Sequence, residues 1–209
     1  MLKVYPMVLG PVQTMCYIIS NQTHAVVIDP AHSAKKIQEY LNSQRLTLQA
    51  ILLTHGHFDH IGAVNELALR SDVPVYAHKR EKEYFQNPDV NLSSMMYERL
   101  TLDESLNIQY VTEGATISSL DQMIKVFHVP GHTPGSLCYY FENEHMVFTG
   151  DTLFAGGIGR TDFIYGDHGS LVKHIKQKLM TLPQDTLVYP GHGECTTVET
   201  EAKRNIFLK

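Results

Sequence analysis

The sequence predicts an α/β protein folded as a four-layer αββα sandwich, on three observations. Its 209 residues are 43% hydrophobic and 19% charged, the balance of a globular chain long enough to bury a core without staples. Strand-like and helix-like runs follow one another as strands, helix, strand, helix, and that order then repeats. No linker, low-complexity tract or repeat of fixed period interrupts them, so residues 1–209 read as one domain. Two similar halves of this kind bury their apolar faces by packing sheet on sheet with helices outside.

Residues 15–20 and 25–29 read as the first strands, β-branched and aromatic, split by the turn-like Asn21 to His24. Ile37, Tyr40 and Leu41 at helical spacing mark a helix after Ala31, with Ser33 as its N-cap. Residues 49–54 form a short buried strand, Ile61, Val64, Leu67 and Ala68 one face of a second helix, and residues 73–77 the next strand. From about 81 to 106 the chain is polar, carries Asn87-Pro88 and lacks periodicity. It reads as a long loop with a short helix, the kind of insertion that often covers a site. Residues 123–129, 136–141 and 145–149 are three further strands, broken by Pro-Gly and Glu-Asn turns. A helix over 170–180, a strand over 186–189 and a short helix after Val198 complete the order.

Composition narrows the function classes. The formal net charge is −5 with no long basic run, which argues against a nucleic-acid backbone as partner, because that needs clustered Lys and Arg. Cys16, Cys138 and Cys195 are odd in number and far apart, so neither a disulfide framework nor a cysteine zinc cage is expected. The first residues lack a signal-peptide core and no stretch is long enough to span a bilayer, so the expected compartment is the cytoplasm, with no membrane partner. Oligomeric state is not legible. The unusual feature is the 12 histidines, several beside Gly or Asp.

The decisive stretch runs from Leu52 to Gly62 and holds His55, His57, Asp59 and His60. It begins where a buried strand ends and stops where an amphipathic helix begins. His55 and His57, two apart, point the same way in extended backbone, and Asp59 and His60 fall in the turn that opens the helix. Imidazole and carboxylate together suit zinc, iron or manganese. Three more strand ends repeat one grammar, Gly then His or Asp: Gly131-His132, Gly150-Asp151 and Gly191-His192. For a single such histidine a surface or capping role is the simpler reading; four matching strand ends together point to a metal site.

These motifs, Thr54-His-Gly-His-Phe-Asp-His60 followed by Gly131-His132-Thr133, Gly150-Asp151 and Pro190-Gly191-His192, resemble the metallo-β-lactamase superfamily, from about Tyr17 onward. The resemblance implies that superfamily's αββα fold and two divalent metal ions, zinc first, with iron or manganese as alternatives. It places His55, His57 and His132 on one metal, Asp59, His60 and His192 on the other, and Asp151 between them. A water shared by two such metals loses a proton near neutral pH, and Asp59 is positioned to hold or relay a proton. The absence of a cysteine ligand, and positions left open by seven ligands on two metals, suit a catalytic site.

Within the superfamily, Gly150 to Phe154, Gly159-Arg160-Thr161-Asp162, Tyr189 to Gly193 and the 196–208 segment are most similar to the glyoxalase II-related branch. That resemblance implies hydrolysis of a small thioester, of the S-hydroxyacyl-thiol type. Glyoxalase II enzymes continue into a helical region that grips glutathione, and the sequence shows no counterpart, so glutathione itself is not supported. Arg160 is the candidate for an anionic substrate group, as a bidentate donor, or else a loop-fixing partner of Asp162. The Gly-Arg-Thr-Asp segment is shared with the persulfide dioxygenase branch, which uses one iron on the residues matching His55, His132 and Asp151. Asp29 matches a position that supports the metal loop from behind, or is a plain turn residue. Tyr17 and Tyr165 read as packing residues rather than pocket walls, and Cys195 as an inert buried thiol. His24, His32, His78, His128, His145, His168 and His174 match no ligand position and read as structural or exposed.

Overall fold

The computed structural model describes residues 1–96 and 99–209. In chain order the strands and helices are β1 (Lys3–Leu9), β2 (Thr14–Ser20), β3 (His24–Ile28), α1 (Ala34–Ser43), β4 (Thr47–Leu52), α2 (Phe58–Ile61), α3 (Val64–Ser71), β5 (Val75–Ala77) and α4 (Lys82–Gln86). Then come β6 (Ile108–Tyr110), β7 (Thr116–Ser119), β8 (Gln122–His128), β9 (Leu137–Phe141), β10 (Met146–Gly150), β11 (Leu153–Phe154) and β12 (Gly157–Ile158). The last are α5 (His168–His174), β13 (Leu187–Pro190), β14 (Thr196–Thr197) and α6 (Val198–Arg204).

Two six-stranded sheets carry the fold, in the orders β1-β2-β3-β4-β5-β6 and β14-β13-β10-β9-β8-β7. Both are mixed: β3, β4, β5 and β6 run parallel, as do β10 and β13, while the remaining pairs are antiparallel. Strands buried on both faces become continuous apolar runs, and the alternation of side chains sorts those runs into layers. On β2, Cys16 and Ile18 face α1 and α3, whereas Tyr17 and Ile19 face the second sheet. On β9, Leu137, Tyr139 and Phe141 face the first sheet, whereas Cys138 and Tyr140 face α5. Three apolar layers therefore separate helix, sheet, sheet and helix: the expected αββα sandwich of the α/β class.

Several elements differ from expectation. β1 lies where the sequence reading assigned no element, and it tolerates Pro6 because it is an edge strand. Ser33 does precede α1, but at φ 56 its hydroxyl makes no cap bond and lies 2.7 Å from His32 Nδ1 instead. The second helix is two pieces, α2 and α3, because Gly62 and Ala63 turn under Pro30, whose carbonyl accepts from Ala63 N at 2.8 Å. The helix expected over 170–180 changes from α-helical to a π-helical turn over Ile175–Leu179. The segment read as a loop holds α4 and a 3₁₀ turn, Ser93–Met96, and a second 3₁₀ turn, Lys79–Glu81, leads into it; its residues Tyr97 and Glu98 lie outside the described residues. Among the described residues no helix is long and apolar enough to cross a membrane.

Candidate metal centre

The four strand-end motifs meet at one edge of the sandwich, although they come from both sheets. β4 leads into His55 and His57, and α2 carries Asp59 and His60. β8 leads to His132, β10 to Asp151 and β13 to His192. Main-chain bonds lock the loops together: Leu137 N donates to Thr54 O at 2.7 Å, Gly191 N to Gly150 O at 2.8 Å and Met15 N to Gly191 O at 2.8 Å. Gly131 holds φ at 144 with the backbone of Leu171 where a Cβ would stand, so only glycine admits this turn into His132.

All seven predicted residues are brought together. His55 Nε2 lies 3.0 Å from His57 Nδ1 and 3.3 Å from His132 Nε2, and His57 Nδ1 lies 3.0 Å from His132 Nε2. The partners of the outer ring nitrogens set the tautomers. Thr54 Oγ1 donates to Asp29 Oδ2 at 2.6 Å, so at 3.1 Å from His55 Nδ1 it accepts. His132 Nδ1 faces the carbonyl of Arg160 at 2.7 Å, which only accepts. Both imidazoles thus turn the lone pair of Nε2 inward, and of the three nitrogens only His57 Nδ1 has a tautomer that could donate, so three converging acceptors and at most one hydrogen meet at this point. Their spacing matches the edge of about 3.3 Å that three ligands make around a metal with bonds of about 2.0–2.1 Å.

A second cluster sits beside the first. His60 Nδ1 donates to Asp29 Oδ2 at 2.9 Å, which aims Nε2 at Asp59 Oδ2, 3.4 Å away, and Asp151 Oδ1, 3.3 Å away. His192 Nε2 lies 3.2 Å from Asp59 Oδ2 and 3.6 Å from Asp151 Oδ2. Asp151 Oδ2 is also 3.7 Å from His132 Nε2, which sets this carboxylate between the clusters. Among the described residues, two buried atoms that face into the site, His60 Nε2 and Asp151 Oδ1, have no hydrogen-bond partner. Convergent lone pairs with orphaned polar atoms are what a metal-binding cradle presents, and the donor set of imidazole and carboxylate suits zinc or iron. The residues fit a dinuclear centre.

Charge follows the geometry. Burial and the neighbouring imidazoles hold His55 well below the usual range, and burial takes His57 down to about 3 and lowers His132. Burial opposes a proton on His60 too, but Asp59, Asp151 and Asp29 surround it and raise it well above the ordinary value. Burial likewise opposes ionisation of Asp59; His60, His192 and Thr14 overcome it and hold the carboxyl below the usual range.

The centre opens on a cavity of about 370 Å³ walled by Val12, Phe58, Leu92, Phe154 and Phe163, with Arg160 at its side. The Arg160 guanidinium forks onto Asp162, Nε to Oδ1 at 2.9 Å and Nη2 to Oδ2 at 2.7 Å, and lies 4.3 Å over the Phe163 ring. Asp29 stands behind the metal loop, as its position implied. Tyr17 is core, its hydroxyl bonded to Pro190 O at 2.7 Å, and Tyr165 is exposed away from the cavity. Cys195 is exposed rather than buried, because the turn after His192 runs over the surface. Three contributors had little or no sequence signal. Thr14 at the start of β2 holds Asp59 Oδ2 at 2.7 Å, the Arg160 carbonyl acts through main chain, and the cavity's aromatic wall comes from three separate places, Phe58 of α2, Phe154 of β11 and Phe163.

An αββα sandwich with paired His and Asp clusters at one sheet edge is the frame of metal-dependent hydrolases. The profile of the Metallo-beta-lactamase superfamily matches residues 9–192, and the chain belongs to that superfamily. It is 40% identical over 203 residues to the probable metallo-hydrolase YqgX of Bacillus subtilis, covering 97% of this chain and 95% of that one. It is 34% identical to the hydroxyacylglutathione hydrolase GloC of Haemophilus influenzae, covering 94% and 93%. Among solved structures, the BLEG-1 B3 metallo-beta-lactamase superposes with a TM-score of 0.93 at 39% identity over all of both chains. TTHA1623 in a di-iron-bound form gives 0.86 at 35% identity, covering 98% and 100%. ETHE1 from Myxococcus xanthus gives 0.80 at 28%, covering 98% of this chain and 83% of that one.

Proposed function

We propose that the protein is a glyoxalase II-like hydrolase that cleaves a small thioester of the S-hydroxyacyl-thiol type at a centre of two divalent metals, zinc or iron. The observation that carries this reading is the pair of adjacent lone-pair clusters, His55/His57/His132 and Asp59/His60/His192, joined by Asp151 and open to one cavity. Similarity to a hydroxyacylglutathione hydrolase supports the substrate class. When bound, such metals supply Lewis acidity and a water acidic enough to act as nucleophile near neutral pH.

The chain's own residues do the rest. His55, His57 and His132 enter as neutral donors at no proton cost, since burial already keeps them unprotonated. Asp59 is kept ionised and is held at Oδ2 by Thr14, which leaves its other oxygen to take a proton and pass it toward the thiol leaving group. Val12, Phe58, Leu92, Phe154 and Phe163 exclude bulk water and favour a small acyl group. Arg160, its side chain 65% exposed and held by Asp162, is the cation that can swing from Asp162 to a carboxylate on the substrate. No basic surface for a glutathione-sized anion accompanies it among the cavity's residues.

Turnover of a thioester panel by protein of measured metal content tests the proposal. Near two metals per chain with hydrolysis of short S-acyl thiols is the expected result. Arg160→Ala is expected to raise KM for carboxylate-bearing thioesters by about tenfold, the scale of one lost charge-assisted bond, and to leave neutral ones unchanged. The competing reading is a sulfur dioxygenase with one iron on His55, His132 and Asp151; it draws on the likeness to ETHE1 but leaves the buried His60 Nε2 without a partner. One iron per chain, inactivity on every thioester and oxygen uptake on a persulfide would establish it instead.

A further inference from the structure

Glu81 is a carboxylate with 1% of its surface exposed, in no ion pair among the described residues, in the 3₁₀ turn after β5. It is not within reach of the cavity, yet it touches both loops that feed the first metal cluster. Oε2 accepts from Gly56 N at 2.7 Å, the amide between His55 and His57. Oε1 accepts from Thr133 Oγ1 at 2.8 Å and Gly135 N at 2.7 Å, in the turn directly after His132. The contact is built for: a Cβ on Gly135 would fall 2.6 Å from Glu81 Oε1, and one on Gly56 3.1 Å from Oε2 and 2.5 Å from Tyr84 Cβ. Gly135 leaves room for Glu81, and Gly56 for Tyr84 and Glu81 together.

We propose that Glu81 is a positioning residue for the first metal subsite, its carboxylate clasping the 56 and 133–135 backbones and so fixing the triangle of His55, His57 and His132. The inference rests on the two-metal reading above. The loops it joins come from different sheets, β4 in the first and β8 in the second, and no ligand of the second cluster touches it. All three of its partners are donors, so the acceptor pair of a carboxylate is required. Glutamine of the same shape cannot serve: whichever way its amide turns, an NH₂ group faces either Gly56 N–H or Gly135 N–H. Burial pushes Glu81 up to about 7 against the pull of these three donors, as expected of a carboxylate whose ionised form depends on its clasp.

The test is cobalt(II) titration of the metal-free full chain, read by visible absorption and by metal retained after dialysis. His192→Ala cripples the second subsite, and His57→Ala the first. Adding Glu81→Gln is expected to weaken cobalt binding 10- to 100-fold in the His192→Ala background, the range for outer-shell partners, with a changed absorption band. In the His57→Ala background the same substitution is expected to leave affinity within about twofold. Glu81→Asp, which keeps the charge but shortens the reach, should restore part of the loss. If Glu81→Gln does not fold, Thr133→Val removes one donor alone, and a several-fold loss confined to the first subsite is expected. Equal weakening in both backgrounds, or none in either, overturns the assignment of Glu81. A parent chain that takes up no cobalt overturns the two-metal reading itself.

Discussion

Asp29 accepts three hydrogen bonds with two oxygens: Thr54 N at 2.8 Å, Thr54 Oγ1 at 2.6 Å and His60 Nδ1 at 2.9 Å. It adopts φ 48 to do so, a left-handed conformation that Asp tolerates better than most residues. Asp29→Asn replaces an acceptor by a donor opposite either Thr54 N or its pair of partners on Oδ2. It is expected to weaken metal at the second subsite by 10- to 100-fold in a competition titration. His60 itself predicts the pH dependence of loading. Its proton is retained well above the ordinary imidazole value in the metal-free protein, and metal must displace it. Affinity should therefore climb as pH rises and level off above the raised His60 value, whereas His57, held down to about 3, contributes nothing near neutrality. Affinities measured at several pH values that stay flat below neutrality would contradict this.

At the scale of elements, what the sequence revealed depended on whether the cause was local. The His and Asp motifs were legible because ligand chemistry is local: spacing on one strand end places the donors. The alternating faces of β2 and β9 were legible as apolar runs. β1 was not, since an edge strand with Pro6 owes its pairing to β2 rather than to its own composition. The role of Thr14 was invisible because its partner Asp59 lies 45 residues away. Within the 81–106 segment, expected only as a covering loop, Leu92 takes φ 70 and lines the cavity. Its neighbour Asn91 enforces this, donating to Tyr84 O at 2.8 Å and Leu100 O at 2.9 Å and accepting from Ser93 N at 3.0 Å. A bulky residue held there costs about 1–3 kcal/mol. Leu92→Gly should raise Tm through relief of that strain and shift preference toward longer acyl groups; an unchanged acyl-length profile would remove Leu92 from the wall.

For the whole molecule, the metals are ligands of the native state and stabilise it by mass action. Chelation should lower Tm, and the metal-free protein should be sensitive to acid. The sign follows from the histidines. His57 at about 3 and His78 at about 4, with His55, His128 and His132 also lowered, bind protons more weakly folded than unfolded. Their contribution is complete above about 6.5 and is lost as pH falls through that value toward the folded ones. His60, His192 and Glu81 are raised and work in the opposite sense, but they are fewer. Calorimetry of metal-free protein between pH 7 and 4 should show a falling Tm, steeper than that of the metal-loaded form.

The joining of the two sheets at their shared edge, through Leu137 to Thr54 and Met15 to Gly191, has a consequence in time. Residues of the first cluster are separated by 75 positions between His57 and His132, and contacts of that range form late in folding. Neither half owns a complete subsite: the first needs His132 and the second needs His192. The four-residue motif of the early half completes neither subsite alone, so without the late half it is expected to hold an ion only loosely. Tight capture waits for the late half to dock, so the finished fold, rather than the growing chain, decides which ion stays.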